Sequence, residues 1–191
     1  ATYLDAGHIL GSSMIQVRCR QNGEARSIVF SGDIGRWDKP ILHDPTLIED
    51  ADYIVTESTY GDRVHEDTAD IRDTLCRIVR RTRERGGNLV IPSFALERAQ
   101  EVLFHLYQLL RSDCIPHLMV FVDSPMAVRV TEVFERHTDL YDQEMRDLLR
   151  RKESPFDFPG LRMVRSTEES KAINHISGTT VIIAGSGMCT G

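Results

Sequence analysis

Asn88-Leu89-Val90-Ile91-Pro92-Ser93-Phe94-Ala95-Leu96-Glu97-Arg98-Ala99-Gln100 changes periodicity part-way along. Asn88–Ile91 is a short apolar run of strand length, and Pro92-Ser93 turns it into a segment whose apolar residues recur at helical spacing. Ala95, Ala99, Val102, Leu103 and Leu106 line one face of that segment. A buried strand feeding directly into an amphipathic helix is half of a β-α-β unit, so the flanks decide whether the unit repeats. Upstream, Thr68 to Arg85 carries Ile71, Leu75, Ile78 and Val79 at helical spacing, and Gly86-Gly87 stops that helix. Before it, Tyr53–Thr56 is a strand ending at Glu57. Downstream, Leu118–Val122 is a strand ending at Asp123-Ser124-Pro125, with Pro125 suited to the first turn of a helix. Helices are expected over Met126–Arg136 and Gln143–Lys152, and a loop over Ser154–Gly160. A short helix is expected from Thr167, and a last strand over Thr179–Ala184. The order β-α-β-α-β-α-α-α-β predicts an α/β fold with a mostly parallel sheet flanked by helices.

The first fifty residues read differently. Met14–Arg20 alternates with period two, and Ser27–Phe30 is an apolar run closed by Ser31-Gly32-Asp33. These are consecutive strands and loops, so a domain boundary is expected near Gly61–Val64.

The 191 residues hold 23 Lys+Arg and 29 Asp+Glu, a net charge of −6, with 41% apolar and 27% charged residues. That mix excludes a disordered polar chain and leaves enough apolar surface for a core. The net acidity argues against coating nucleic acid over the whole surface, so any nucleic-acid role needs a local site. No apolar run approaches the ~18 residues of a membrane span. Cys19, Cys76, Cys114 and Cys189 form no C-x-x-C pair and are too scattered for a disulfide scaffold, which points to a reducing, cytoplasmic compartment. Ala1 leads straight into Thr2-Tyr3-Leu4 and the chain stops within Gly185-Ser186-Gly187-Met188-Cys189-Thr190-Gly191, so the sequence reads as a piece of a longer protein.

Ligands of open α/β sheets bind beyond the carboxyl ends of the strands. Asp33, Glu57 and Asp123 stand at such ends, and His8 stands in the loop after the first short strand. His and Asp are ligand types for a zinc-like ion, but two of them fall short of a full set, and each alone can equally be a turn or cap residue. Val181-Ile182-Ile183-Ala184-Gly185-Ser186-Gly187 is a strand entering a G-x-G turn. Such a turn can aim backbone N–H groups at phosphate, begin a dinucleotide site, or simply reverse the chain. The arginines from Arg77 to Arg85 read as a solvated helix face, with an RNA-contacting patch as the alternative. His65, His105, His117, His137 and His175 carry no ligand spacing.

Taken together, these strings resemble a known family. Asp5-Ala6-Gly7-His8-Ile9-Leu10-Gly11-Ser12 is similar to the D/S-A-G-H-x-x-G-S motif of metallo-β-lactamase-fold hydrolases, and Ser31-Gly32-Asp33-Ile34-Gly35-Arg36 to their next motif. Thr56-Glu57-Ser58-Thr59-Tyr60-Gly61 resembles the block that opens the β-CASP insertion. The blocks at Ile91–Gln100, Asp123–Ala127 and Gly185–Gly191 follow in the order seen in β-CASP nucleases. The resemblance is to bacterial and archaeal homologues of the endonuclease subunit of the cleavage and polyadenylation specificity factor.

The resemblance implies a hydrolase acting on an RNA substrate with two zinc ions, through a metal-activated hydroxide. His8 would ligate one zinc, and Asp33, an anionic carboxylate able to serve both ions, would bridge them. Glu57 would support a catalytic histidine by hydrogen bonding. Ser124, Gly185, Ser186, Gly187 and Met188 would hold the RNA backbone. It implies part of a metallo-β-lactamase αββα domain over residues 1–61, a β-CASP domain over 62–178, and a strand and loop over 179–191 returning to the first domain. RNA would pass between the two. The family's H-x-H-x-D-H motif is absent from these residues, so the piece alone is expected to hold metal poorly and to cleave nothing. A metal-free RNA-binding or scaffolding paralogue, or a nucleotide-binding enzyme using the Gly185-Ser186-Gly187 turn, are the rival readings. No membrane is implied; a homodimer stays open.

Overall fold

The computed structural model describes residues 1–64 and 71–185. The chain divides into two compact units, Ala1–Glu66 with Asp139–Arg146, and Asp67–Thr138 with Asp147–Gly191.

The first unit is a mixed four-stranded sheet of β1 (Thr2–Asp5), β2 (Ser13–Gln21), β3 (Glu24–Phe30) and β4 (Tyr53–Val55), in that order across the sheet. β2 is antiparallel to both β1 and β3, and β4 is parallel to β3. Asn22-Gly23, both at positive φ, make the two-residue turn that pairs Gln21 with Glu24. Met14 and Val29 bury against the unit's interior along with Ile41 and Leu42. The segment Asp139–Arg146, expected inside the 62–178 domain, belongs to this first unit. Leu42 bridges Tyr141, Asp142 N donates to the Ile41 carbonyl at 2.8 Å, and Tyr141 and Met145 are almost wholly buried.

The second unit is an all-parallel sheet flanked by helices. Its elements are α1 (Ile71–Glu84), β5 (Leu89–Pro92), α2 (Arg98–Arg111), β6 (Met119–Asp123), α3 (Pro125–Arg136), α4 (Gln143–Arg150, which straddles the two units), β7 (Leu161–Val164), α5 (Thr167–Ile173) and β8 (Thr180–Ala184). The strand order is β5-β8-β6-β7, every pair parallel. Three expectations change here. β7 was not foreseen, because Leu161-Arg162-Met163-Val164 is only four residues long, with an exposed arginine in it. β8, expected to lead back to the first domain, instead lies between β5 and β6, and its Val181 and Ile183 are buried. Cys76 and Cys114, 38 residues apart in sequence, form a disulfide between α1 and the loop after α2. Sequence spacing could not show that pair, and it removes the cysteine argument for a reducing compartment. Cys19 is free and exposed.

Ala99, Leu103 and Leu106 of α2 pack inward as the helical spacing predicts, together with Val120 and Val122 of β6 and Phe134 of α3. Among the described residues no helix is long and apolar enough to cross a membrane.

Candidate functional site

Because β2 runs opposite to both its neighbours, β1, β3 and β4 point the same way and deliver their carboxyl ends to one edge of the first sheet. The loops leaving that edge carry His8, Asp33 and Glu57. The His8 loop is held from within: Ser12 Oγ accepts from His8 N at 3.1 Å and from Ile9 N at 3.2 Å, and Ala6 N donates to the Ser12 carbonyl at 3.2 Å. It is also held from outside. Lys39 Nζ donates to the His8 carbonyl at 2.6 Å, and Gly35 N donates to the Ala6 carbonyl at 2.8 Å. Gly35 has to be glycine, since a Cβ there would stand 1.7 Å from the Gly7 carbonyl oxygen. The loop after β3 therefore lies directly on the loop after β1.

That contact brings the predicted residues together. His8 Nε2 is 3.9 Å from Asp33 Oδ2, with side chains 43% and 72% exposed, so solvent and ligands reach both. Glu57 Oε1 accepts from Ile34 N at 3.0 Å, tying the loop after β4 to the residue that follows Asp33. Within this chain, Glu57 thus braces the backbone of the Asp33 loop. A second histidine–carboxylate pair was missed: His43 Nδ1 lies 3.4 Å from Asp5 Oδ2, three residues before His8. The signal was present, because Asp5 opens the Asp5-Ala6-Gly7-His8 string, but His43 has no motif around it.

An imidazole nitrogen and a carboxylate oxygen 3.9 Å apart fit a zinc-like ion. Zinc–ligand bonds are ~2.0–2.2 Å, so one ion can touch both atoms. They do not complete a set: among the described residues no group of three or more His, Cys, Asp or Glu side chains is arranged to hold a metal.

The carboxyl edge of the second sheet carries the other predicted residues. Ser124 is nearly buried and caps α3, its Oγ accepting from Ala127 N at 3.1 Å. Asp123 Oδ2 accepts from Ser170 Oγ at 2.9 Å, and its carbonyl receives Gly185 N at 3.4 Å. A Cβ on Gly185 would fall 2.3 Å from Ser124 Oγ, so the backbone after β8 lies against the start of α3. Ser186, Gly187 and Met188, and with them Cys189, lie outside the described residues, as does His65.

Residues 99–191 match the model of the Beta-Casp domain. This chain carries a Beta-Casp domain. The match begins in α2 and runs through all of β6, β7 and β8, so the parallel sheet is mostly Beta-Casp sequence. The chain is 39% identical to Ribonuclease TTHA0252 of Thermus thermophilus, over 97% of this chain and 42% of that protein. It is 32% identical to Transcription termination factor FttA of Methanosarcina mazei, over 100% of this chain and 30% of that protein. It is 30% identical to Cleavage and polyadenylation specificity factor 73 of Drosophila melanogaster, over 96% of this chain and 26% of that protein. The alignments extend well upstream of the Beta-Casp domain and include the His8, Asp33 and Glu57 loops, while the chain spans less than half the length of each of these relatives.

Proposed function

We propose that the protein to which this chain belongs is a metal-dependent ribonuclease, hydrolysing RNA phosphodiester bonds in RNA processing or decay. The observation that carries the reading is the convergence of three strand-end loops on one sheet edge, with His8 Nε2 3.9 Å from Asp33 Oδ2. The similarity to Ribonuclease TTHA0252 supports the choice of RNA.

In this reading residues 1–61, with Asp139–Arg146, contribute part of a metallo-β-lactamase domain, and the rest of 62–178, with β8 in its sheet, forms the β-CASP domain. His8 and Asp33 would hold the metal, zinc in this reading, together with further ligands. Two divalent ions there would supply Lewis-acid stabilisation of phosphate charge and lower the pKa of the attacking water. The chain's own residues hold that place open. Ser12 and Lys39 fix the backbone of His8, and Glu57 fixes the N–H of Ile34, so imidazole and carboxylate are presented without having to be ordered on binding. Ser124, Gly185, Ser186, Gly187 and Met188 guide the RNA backbone, and cytoplasmic RNA is the substrate. A disulfide agrees with that compartment only where intracellular proteins keep such bonds, as those of hyperthermophiles do.

The test is cleavage of a labelled RNA by the full-length protein and its Asp33→Ala variant. The reading expects cleavage by the first, and loss of at least a thousandfold in the second with the thermal midpoint preserved. Equal cleavage by both would remove Asp33 from the site.

A further inference from the structure

α1 concentrates positive charge in an acidic chain. The run Arg72–Arg85 holds six arginines and only two carboxylates, Asp73 and Glu84, within a chain of net charge −6. The helix buries Cys76 and Val79, and the Cys76–Cys114 disulfide clamps that inner face. Everything basic faces out: Arg77, Arg80, Arg81, Arg83 and Arg85 are all exposed. An open groove is lined by Arg77, Arg80, Arg81 and Arg85, with Asp73 and Glu84 beside them.

Four arginines elsewhere in the same unit are paired. Arg98, Arg111, Arg150 and Arg165 each hold a carboxylate within 3 Å. On α1, Arg80 donates to the Cys114 carbonyl and Arg77 to Thr74 Oγ1, contacts that leave the charge unneutralised. Among the described residues, no ion pair joins Arg77, Arg80, Arg81, Arg83 or Arg85 to a carboxylate. Arg77 and Arg81 on α1 and Arg85, one residue past its end with its N–H still donating to the Arg81 carbonyl, fall four residues apart, a row of about 12 Å at helical rise. Like charges at that spacing weaken a helix, so an isolated structural helix would gain nothing from them.

We infer that this row is a docking surface for the phosphate backbone of single-stranded RNA. The inference rests on the ribonuclease reading above. A polyanion is the occupant that the surface fits. Guanidinium groups bind phosphate bidentately, and a row of them follows a backbone without reading its bases. A protein partner would need an apolar anchor at its centre, and Ile78 is the only large apolar side chain exposed between Arg72 and Arg85.

The test is binding of a fluorescein-labelled oligo(A) RNA to the full-length protein, in an Asp33→Ala background that keeps the probe intact. Affinity is followed by anisotropy between ~50 and 200 mM salt. Each phosphate contact on a single strand contributes about 0.7 to the slope of log K against log salt. The triple variant R77A/R81A/R85A is therefore expected to lower that slope by about 2 and weaken binding at least tenfold at the low-salt end. R77K/R81K/R85K should keep the slope. The exposed positions leave the thermal midpoint unchanged or raised, which separates lost binding from lost fold. RNA binding whose affinity and slope the alanine variant leaves unchanged overturns the inference alone. A parent protein that binds no RNA, together with a wild type that cleaves none, overturns the ribonuclease reading itself.

Discussion

Gly35 is the position where one methyl group should dismantle the candidate site without touching a proposed ligand. Its backbone N donates to the Ala6 carbonyl at 2.8 Å, and a Cβ there would stand 1.7 Å from the Gly7 oxygen, 2.1 Å from the Gly7 carbonyl carbon and 2.7 Å from His8 N. All three are backbone atoms, so no side chain can swing aside. Restoring a 3.0 Å contact to the Gly7 oxygen requires the loops to part by at least about 1.3 Å. The hydrogen bond to Ala6 goes with that movement, costing ~1 kcal/mol, and the backbone shift adds ~1–3 kcal/mol. The larger consequence is positional. Gly35 sits two residues after Asp33, and its steric partner Gly7 immediately precedes His8, so the displacement falls on the His8–Asp33 separation. A misplacement of about 1 Å in a catalytic constellation costs on the order of 10²-fold in rate. The assay is kcat/KM for a labelled RNA with full-length Gly35→Ala, beside its thermal midpoint. Gly87→Ala serves as control, because its Cβ would meet nothing closer than the Thr82 methyl at 4.0 Å. Wild-type cleavage and wild-type metal content in Gly35→Ala would refute the reasoning, since the loop contact would then not set the geometry.

Two further outcomes follow from the second unit. Reducing the Cys76–Cys114 bond opens a loop of 38 residues in the unfolded chain, which by chain entropy costs roughly 4 kcal/mol; a denaturation midpoint unmoved by reductant would contradict the bond's contribution. His105 on α2 has its pKa lowered by burial, with Arg72 and Arg98 acting the same way against Glu101. Below its ordinary value near 6.5 the unfolded state binds more protons than the folded one, so stability is full above that pH and declines as pH falls through it. His105→Leu should flatten that decline in thermal midpoints taken from about pH 7.5 to 5.5. The comparison with wild type cancels Asp142 and Glu135, whose carboxyls burial raises and which act in the opposite sense. An unchanged pH profile in the variant would take the effect away from His105.

Much of this molecule is legible in its sequence for simple reasons. A helix with strong period, such as the face Ala99-Leu103-Leu106, announces itself because burial requires that spacing, whereas Asn88–Ile91 gives a strand as its apolar run suggests but is only partly buried, with Val90 exposed. Pro125 marks the start of α3 because its fixed φ suits the first turn. Features that depend on partners distant in sequence do not announce themselves. The place of β8 at the centre of its sheet, the capture of Asp139–Arg146 by Ile41 and Leu42, and the Cys76–Cys114 bond are all decided by tertiary pairing. The site divides in the same way. His8, Asp33 and Glu57 are conspicuous at strand ends, and the resemblance of their motifs picked them out. Lys39 on the His8 carbonyl and the His43–Asp5 pair are invisible without coordinates, because lysine and histidine in a loop carry no spacing to read.

The central claim is that His8 and Asp33 form one face of a metal centre that hydrolyses RNA. Bound metal counted on the full-length protein by mass spectrometry, wild type against His8→Ala, tests it most directly. The account predicts two zinc ions per wild-type chain and the loss of at least one in the variant, with RNA cleavage falling in step. A full-length protein that binds no metal, or a His8→Ala variant that keeps both ions, would contradict it.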